Sequence, residues 1–393
     1  MSKLEELIQK YCPDGVEYRP LGDLCKSLQK GTLTTKELVE PDGHNYPVIN
    51  SGRDLYGYYT QFNNEGDAFT VAARGEYAGF ISYFSERFWA GGLCYPYRSN
   101  SPMISSKFIY YFLKSKQEYI RHTLVAEGSI PALNKGTLDV FEIPIPPLPV
   151  QEELVRVLDT FTELQAELQA ELQKRLQQYN YYRDNIFQFE GRSDVHWKKL
   201  GEIASIKTGR RFVRTDIKES GVPCFHYGDL YTYYGLTATQ TKGYLDEELA
   251  KKLRFAQPND VVVVCAGEND MDIGVGVAWL GDEPAVVHDA CCILHHNQNP
   301  RYISHFLRTH NYHLQMKKYV KNGKISSLPA SGLAEALIPL PSLEEQEKIA
   351  SILDRFDTLT NDLVAGLPAE IEKRRQQYEF YRDKLLTFKR KEA

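Results

Sequence analysis

Ile143-Pro144-Ile145-Pro146-Pro147-Leu148-Pro149, followed by Gln151-Glu152, has a counterpart 195 residues later, Ile338-Pro339-Leu340-Pro341-Ser342-Leu343 followed by Gln346-Glu347. Leu158-Asp159 and Phe161 return at the same offset as Leu353-Asp354 and Phe356. Gln177-Gln178-Tyr179 with Tyr182-Arg183-Asp184 returns as Gln376-Gln377-Tyr378 with Tyr381-Arg382-Asp383, at an offset of 199, so the second copy carries four extra residues between these blocks. Upstream, Val16 to Gly31 with Leu21-Gly22-Asp23 resembles Val195 to Gly209 with Leu200-Gly201-Glu202, the second version reading one residue shorter. Gly66-Asp67 before Phe69-Thr70-Val71 answers Asn259-Asp260 before Val262-Val263-Val264. The chain is an internal repeat whose frame is shared and whose middles differ.

Each proline-rich entry opens onto an apolar seam. Leu154, Leu158, Phe161, Leu168, Leu172, Tyr179, Tyr182 and Ile186 follow alternating steps of four and three, with Gln165 and Arg175 in the same seam. That spacing predicts a heptad-bearing helix of about 38 residues, roughly 57 Å long. The second copy starts the same seam at Ile349, Leu353, Phe356 and Leu363, then meets Ala365-Gly366-Leu367-Pro368. Proline suits a helix start and not an interior, so a break is expected near Gly366–Leu367, with a kink as the alternative. Two matched seams favour antiparallel pairing with each other.

The globular parts read as mixed. Residues 68–72 and 260–265 are expected to be buried strands, and Lys107 to Leu113 and Arg301 to Leu307 short amphipathic helices. Met1 to Ile8 reads as the start of an amphipathic helix without the apolar stretch of a secretory leader, and no apolar run approaches a membrane span, which predicts a cytoplasmic protein without membrane contact. Seven cysteines with no CxxC spacing predict free thiols. The net charge is −5, but residues 143–194 hold five basic against nine acidic residues, whereas 195–335 hold seventeen against fifteen and eight of the ten histidines. The acidity therefore sits largely in a helical segment and does not speak against a nucleic-acid partner of the globular parts.

Enzymatic motifs are missing. No Gly-rich methyl-donor loop accompanies an Asn/Asp-Pro-Pro-aromatic grip for a flipped base, and no GxxxxGK[ST] phosphate cradle occurs. Pro41-Asp42 reads as a turn. His288, Cys291, Cys292, His295 and His296 have metal-ligand chemistry, but they lie along Ala285 to Leu294, which reads as one strand with surface histidines, so no metal is expected.

Binding chemistry remains. In the first half Lys30, Thr32, Asn50, Ser51, Arg53, Tyr56, Arg74, Tyr77 and Lys135 lie in or beside Gly-containing loops. In the second half the corresponding set is Arg210, Arg211, Phe212, Arg214, His226, Tyr227, Asp229, Tyr231, Tyr233, Glu268, Asn269, Asp270 and Lys324. Arg and Lys suit guanine O6 and N7, Asn suits adenine, and Asp or Glu can accept from cytosine N4. Similar loop positions with different residues point to readout of two different DNA sequences.

The Ile-Pro-x-Pro entries with Gln-Glu, the Leu-Asp pairs, the Tyr-Arg-Asp helix ends and the matched domain openings resemble the specificity subunits of type I restriction–modification systems, over nearly the whole chain. The resemblance implies an α+β architecture: two α/β target-recognition domains separated by an antiparallel pair of long coiled-coil-like helices, with pseudo-two-fold symmetry. The expected divisions are residues 1–148 and 191–341 for the domains, and 149–190 and 342–393 for the helical regions. It implies no catalytic residues, double-stranded DNA as ligand, two modification subunits and restriction subunits as partners, and S-adenosylmethionine, ATP and magnesium only on those partners. Gln151, Glu152, Tyr182, Arg183, Gln346, Glu347, Tyr381 and Arg382 are the expected partner-binding residues. A self-contained methyltransferase or nuclease and a coiled-coil protein scaffold are the alternatives. Exchanging residues 195–335 for the equivalent domain of another such subunit is expected to alter one half of a methylated target and leave the other unchanged, read by sequencing methylated sites.

Overall fold

The computed structural model describes residues 3–267, 272–321, 323, 325–362 and 366–392. Contacts divide the chain into two units, Met1–Glu167 with Glu372–Ala393, and Leu168–Ile371. The helix Leu148–Ile186 contributes its first part to unit 1 and its remainder to unit 2.

Unit 1 is built on a four-stranded antiparallel sheet in the order Cys25–Ser27, Cys94–Ser99, Ala68–Ala72 and Ile81–Phe84. A three-stranded sheet, Gly57–Tyr59, Tyr46–Ile49 and Trp89–Ala90, accompanies it. Unit 2 repeats the plan. Its larger sheet runs Ala204–Thr208, Cys291–His296, Val261–Val264, Gly276–Trp279 and Thr237–Ala238. Its smaller one runs Gly243–Leu245, Val222–Phe225, Ala285–Val287 and Phe255–Ala256. The central strands Ala68–Ala72 and Val261–Val264 are buried at every position, so apolar and β-branched residues, with Phe69 among them, occupy both faces. Helices Ser106–Ser115 and Pro300–Phe306 follow the last sheet strand, capped by Ser105 and Asn299 side chains that accept backbone N–H groups.

The proline-rich entries are edge strands. Glu142–Ile145 pairs with Glu17–Pro20, and Leu337–Leu340 with His196–Lys199, in two-stranded ribbons that tolerate a missing N–H. The next prolines end each ribbon, and the helices begin at Leu148 and Leu343. In the second copy Ser342 caps the helix at the Glu345 N–H.

The expected break is present: one helix ends at Asn361 and the next spans Leu367–Leu385, with Pro368 in its first turn. Leu363 of the expected seam and Ala365 at the expected break lie outside the described residues. In unit 1 the core holds Leu154, Leu158 and Leu386, while Phe161 lies against Tyr378 and Tyr381, so the helical segments run antiparallel. In unit 2 Ile349 and Leu353 share a core with Phe187, and Phe356 lies against Tyr179 and Tyr182, giving the same sense. Leu168 and Leu172 of the seam are half-buried rather than core.

Three sequence readings change. Backbone pairing aligns Thr70 with Val262, because Thr70 faces Pro96 and Val262 faces the equivalent Ile293. The register is therefore one residue from the expected one, and Asp67 answers Asn259. Both have positive φ, 52° and 71°, a conformation that Asp and Asn tolerate better than other side chains. Gly31 answers Arg210 and not Gly209, since Gly31 N–H donates to Ala90 C=O as Arg210 N–H donates to Val287 C=O; the second copy is not shortened here. Finally, Ala285 to Leu294 is two strands interrupted at His288–Ala290, and His288 is buried rather than on the surface. His295 is exposed, its Nδ1 lying 2.7 Å from the buried Asp260.

All seven cysteines are free and buried. Burial holds the His296 pKa down to about 4, and its Nε2 has no hydrogen-bond partner. The unfolded imidazole takes up a proton below about pH 6.5, while the folded one resists, so stability falls as pH drops from 6.5 towards 4. Replacing His296 by Asn, which keeps an acceptor for the Gln298 N–H, is expected to remove up to about 2 kcal/mol of the stability loss between pH 7 and 5, measured by urea unfolding at both pH values.

Candidate nucleic-acid interface

The repeated motifs are fasteners between each globular body and its helix. Gln151 is 1% exposed, and its amide is fully engaged: Nε2 donates to the carbonyls of Pro146 (2.6 Å) and Met103 (2.7 Å), and Oε1 accepts the Ser105 N–H (3.0 Å). Gln346 repeats this, donating to the Pro341 carbonyl (3.0 Å) and Gln298 Oε1 (2.9 Å) and accepting the Asn299 N–H (3.1 Å). Two helical turns on, Asp159 accepts Lys107 Nζ (2.7 Å) and the Tyr111 hydroxyl (2.6 Å). Asp354 pairs with Arg301, and one of its oxygens lies 2.8 Å from His305 Nε2. Lys107 and Tyr111 stand four residues apart on one helix face, as do Arg301 and His305. Burial, reinforced by the hydrogen bond to Asp159, pushes the Tyr111 hydroxyl pKa up, while burial pulls His305 down against the pull of Asp354.

The Tyr-Arg-Asp ends clamp the opposite copy. Phe161 of the first copy stacks on Tyr381 (6.0 Å between centroids) and meets Tyr378; Phe356 of the second stacks on Tyr182 (5.5 Å) and Tyr179 (6.3 Å). Arg183 lies over Tyr179 and Arg382 over Tyr378.

These contacts correct the expected partner surface. Gln151 and Gln346 are interior groups with no surface to offer a partner. Glu347 meets Arg301, Asn299 and Ser351 but stays exposed, and Arg183 and Arg382 are half-buried over their own tyrosines, so these three keep surface towards solvent. Glu152 is exposed, and Tyr182 and Tyr381 remain 50% and 44% exposed despite stacking.

The loop residues divide in the same way. In unit 1, Thr32, Asn50 and Tyr56 line one cavity, and Arg53 stands over the Tyr77 ring at 6.0 Å. Asn50 Oδ1 accepts the Leu93 N–H (2.9 Å), and Lys30 Nζ donates to the Gly92 carbonyl (3.1 Å). Ser51 is half-buried and Arg74 exposed. Lys135 is tied to Asp139, which also accepts the Tyr97 hydroxyl, and its side chain is 40% exposed.

In unit 2, Phe212, His226 and Asp229 are buried, contrary to a role as surface readers. Phe212 packs edge-on to His288 (5.1 Å), His226 caps the helix Tyr227–Thr232 at the Gly228 N–H, and Asp229 faces Lys242 (3.2 Å) and Arg214 (3.9 Å). Burial lowers the pKa of both His226 and His288. Arg210, Arg211, Arg214, Tyr231 and Tyr233 are exposed around this packed cluster, and Tyr227 is half-buried. Glu268, Asn269, Asp270 and Lys324 lie outside the described residues. Asp42 accepts the N–H groups of His44 and Asn45, the turn expected of Pro41-Asp42. Among the described residues no group of three or more His, Cys, Asp or Glu is placed to hold a metal, and no helix is long and apolar enough to cross a membrane.

The model of the type I restriction modification DNA specificity domain matches residues 13–178 and again residues 192–373. The chain belongs to the type I DNA specificity family. Its similarity to type I specificity subunits runs end to end: it is 31% identical to the EcoR124I/EcoR124II specificity subunit of Escherichia coli, covering 100% of this chain and 98% of that one. It is 28% identical to a putative type I restriction enzyme specificity subunit of Haemophilus influenzae, covering 95% and 96%. The fold is shared with the crystallised type I S subunit of M. genitalium, at TM-score 0.58 and 20% identity over 94% of this chain and 96% of that one. It is also shared with a chain from a structural study of type I complex assembly and conformational transition, at TM-score 0.62 and 15% identity over 95% and 98%.

Within this specificity fold, Ser105, Lys107 and Tyr111 with Asn299, Arg301 and His305 were not singled out from the sequence. Their equal spacing, with Lys107 and Arg301 both beginning expected helices, is the signal that could have found them. Replacing Gln346 by Leu preserves volume but orphans the Asn299 N–H and the Pro341 carbonyl. This is expected to cost at least about 2 kcal/mol in urea unfolding, against less than about 0.5 kcal/mol for Glu152→Ala on the helix surface.

Proposed function

We propose that the chain is the non-catalytic DNA-recognition subunit of a type I restriction–modification complex, each specificity domain reading one half of a bipartite target in double-stranded DNA. The observation that carries this reading is the doubled fastener. The same glutamine and aspartate contacts hold two specificity domains to helical segments, whereas the loops those domains carry differ in almost every side chain. A shared frame with unlike loops suits one mode of DNA approach applied to two sequences. The domains are taken as residues 1–148 and 191–341, with the intervening and final helical segments setting the unread spacer.

The helical segments are the docking surface for two modification subunits, using Glu152 and the exposed faces of Tyr182 and Tyr381; restriction subunits complete the nuclease. S-adenosylmethionine, ATP and magnesium belong to those partners, and the complex works in the cytoplasm. Exposed Arg53, Arg74, Arg210, Arg211 and Arg214 supply the phosphate and base contacts, and the neighbouring tyrosines the apolar ones.

The purified chain is expected to methylate no DNA when given a methyl donor alone. With modification subunits added, it is expected to direct methylation to one split sequence, with an affinity that falls steeply as salt rises. Methylation by the chain alone, or salt-independent and sequence-blind binding by the complex, would overturn the reading.

A further inference from the structure

Backbone hydrogen bonds define which positions of the two domains are equivalent. Gly31 answers Arg210, as above, and Gly91 N–H donates to the Ile49 carbonyl as His288 N–H donates to the Phe225 carbonyl. Along these strands Thr32 therefore answers Arg211, Leu33 answers Phe212, Asn50 answers His226 and Gly91 answers His288. The same place in the fold is hollow in one domain and filled in the other.

In the first domain Gly31, Thr32, Asn50, Tyr56, Trp89 and Gly91 are among the residues lining a cavity of 270 Å³. Its lining contains no carboxylate. Tyr56 and Leu93 on its wall are both 41% exposed, so the hollow is open to solvent. Lys30 stands at the edge, its Nζ on the Gly92 carbonyl, so a cation accompanies the apolar hollow. A Cβ at Gly31 would run into the Trp89 ring and one at Gly91 into Asn50, so the cavity depends on two missing side chains.

In the second domain the rings of Phe212, His226, Tyr227 and His288 close the place, with centroids 4.7 to 6.2 Å apart. Arg210, Arg211 and Arg214, which flank Phe212 in the chain, are exposed. Arg210 is held by the Lys252 carbonyl and Arg214 lies near Asp229, while Arg211 makes no side-chain hydrogen bond or ion pair with the described residues.

Resting on the DNA-recognition reading, we propose that this equivalent place is the specificity-determining position of each domain. The first-domain cavity receives the C5-methyl edge of a thymine, and the second domain sets the Arg211 guanidinium on the N7 and O6 of a guanine. The pairing follows from surface chemistry: a carboxylate-free apolar hollow beside a cation suits the methyl-bearing base edge of a polyanion. A guanidinium with uncommitted donors suits the two acceptors that only guanine presents side by side in the major groove.

The test uses the chain assembled with its modification subunits and the target it methylates. In the half-site assigned to the first domain by domain exchange, each thymine is replaced in turn by deoxyuridine, which removes only the methyl group. One position is expected to weaken binding roughly fourfold. Thr32→Trp, which fills the cavity, should weaken the parent target and abolish that methyl dependence while leaving the other half-site unchanged. In the second half-site, 7-deazaguanine at one position should weaken binding about tenfold for the parent chain and have no effect on Arg211→Ala. Full methylation with no methyl-dependent thymine, or with 7-deazaguanine still discriminated by Arg211→Ala, would overturn this assignment alone. A complex that neither binds nor methylates DNA selectively would overturn the recognition reading beneath it.

Discussion

A primary amide buried where a domain meets its helix is the constraint on which the rest of the molecule depends. Gln151 and Gln346 each bind the carbonyl that ends a proline-rich strand and the N–H that begins a helix of the globular body. Those backbone groups are shielded from water, and leaving either unpaired would cost about 1–3 kcal/mol. Eight residues later the aspartates stand a little over two turns along, on the same helix face. Two pins on one face fix both the position and the rotation of a domain about its helix. A recognition surface aimed at a groove needs both, because a contact displaced by an ångström loses its hydrogen bonds.

The two copies divide conserved and variable chemistry along a physical line. Residues that point into the fasteners, the tyrosine clamps and the central strands have buried partners, so their alternatives are few. The loops are bounded by the same backbone bonds, but their side chains meet one another and solvent rather than the shared frame, so the two copies can differ there. That is how Gly31 can stand where the other copy has Arg210, and Gly91 where it has His288, without disturbing the sheets beneath. The second domain shows the cost of filling such a site: two imidazoles packed there are kept from their usual protonation by burial.

Much of this was legible because periodicity and punctuation are local. The strands around Ala68–Ala72 and Val261–Val264, the helices after them, and the helix restart at Pro368 all follow from side-chain branching, spacing and the missing proline N–H. What failed depended on partners distant in sequence. A glycine at the end of a matched segment looked like an equivalence, but glycine marks permissive backbone rather than a place in a sheet, and the hydrogen bonds assign Gly31 to Arg210. Ala285 to Leu294 has the composition of one strand; the chain turns at His288 because that residue joins the Phe212 cluster. The resemblance implied that the repeated Gln-Glu pairs bind partners. Only the geometry shows that the glutamines are interior and that the glutamates beside them, Glu152 and Glu347, are exposed.

The discontinuity of unit 1 has a consequence for the order of assembly during synthesis. Unit 2 is one uninterrupted stretch, Leu168–Ile371, whereas unit 1 needs Glu372–Ala393 as well as its N-terminal part. Leu386 is core to it, Val16 exchanges backbone hydrogen bonds with Lys389 and Lys391, and the Tyr18 hydroxyl donates to the Phe388 carbonyl. The domain translated first is thus the last to be completed. Until that last segment leaves the ribosome, Phe161 lacks Tyr378 and Tyr381, and the core of the first domain lacks Leu386.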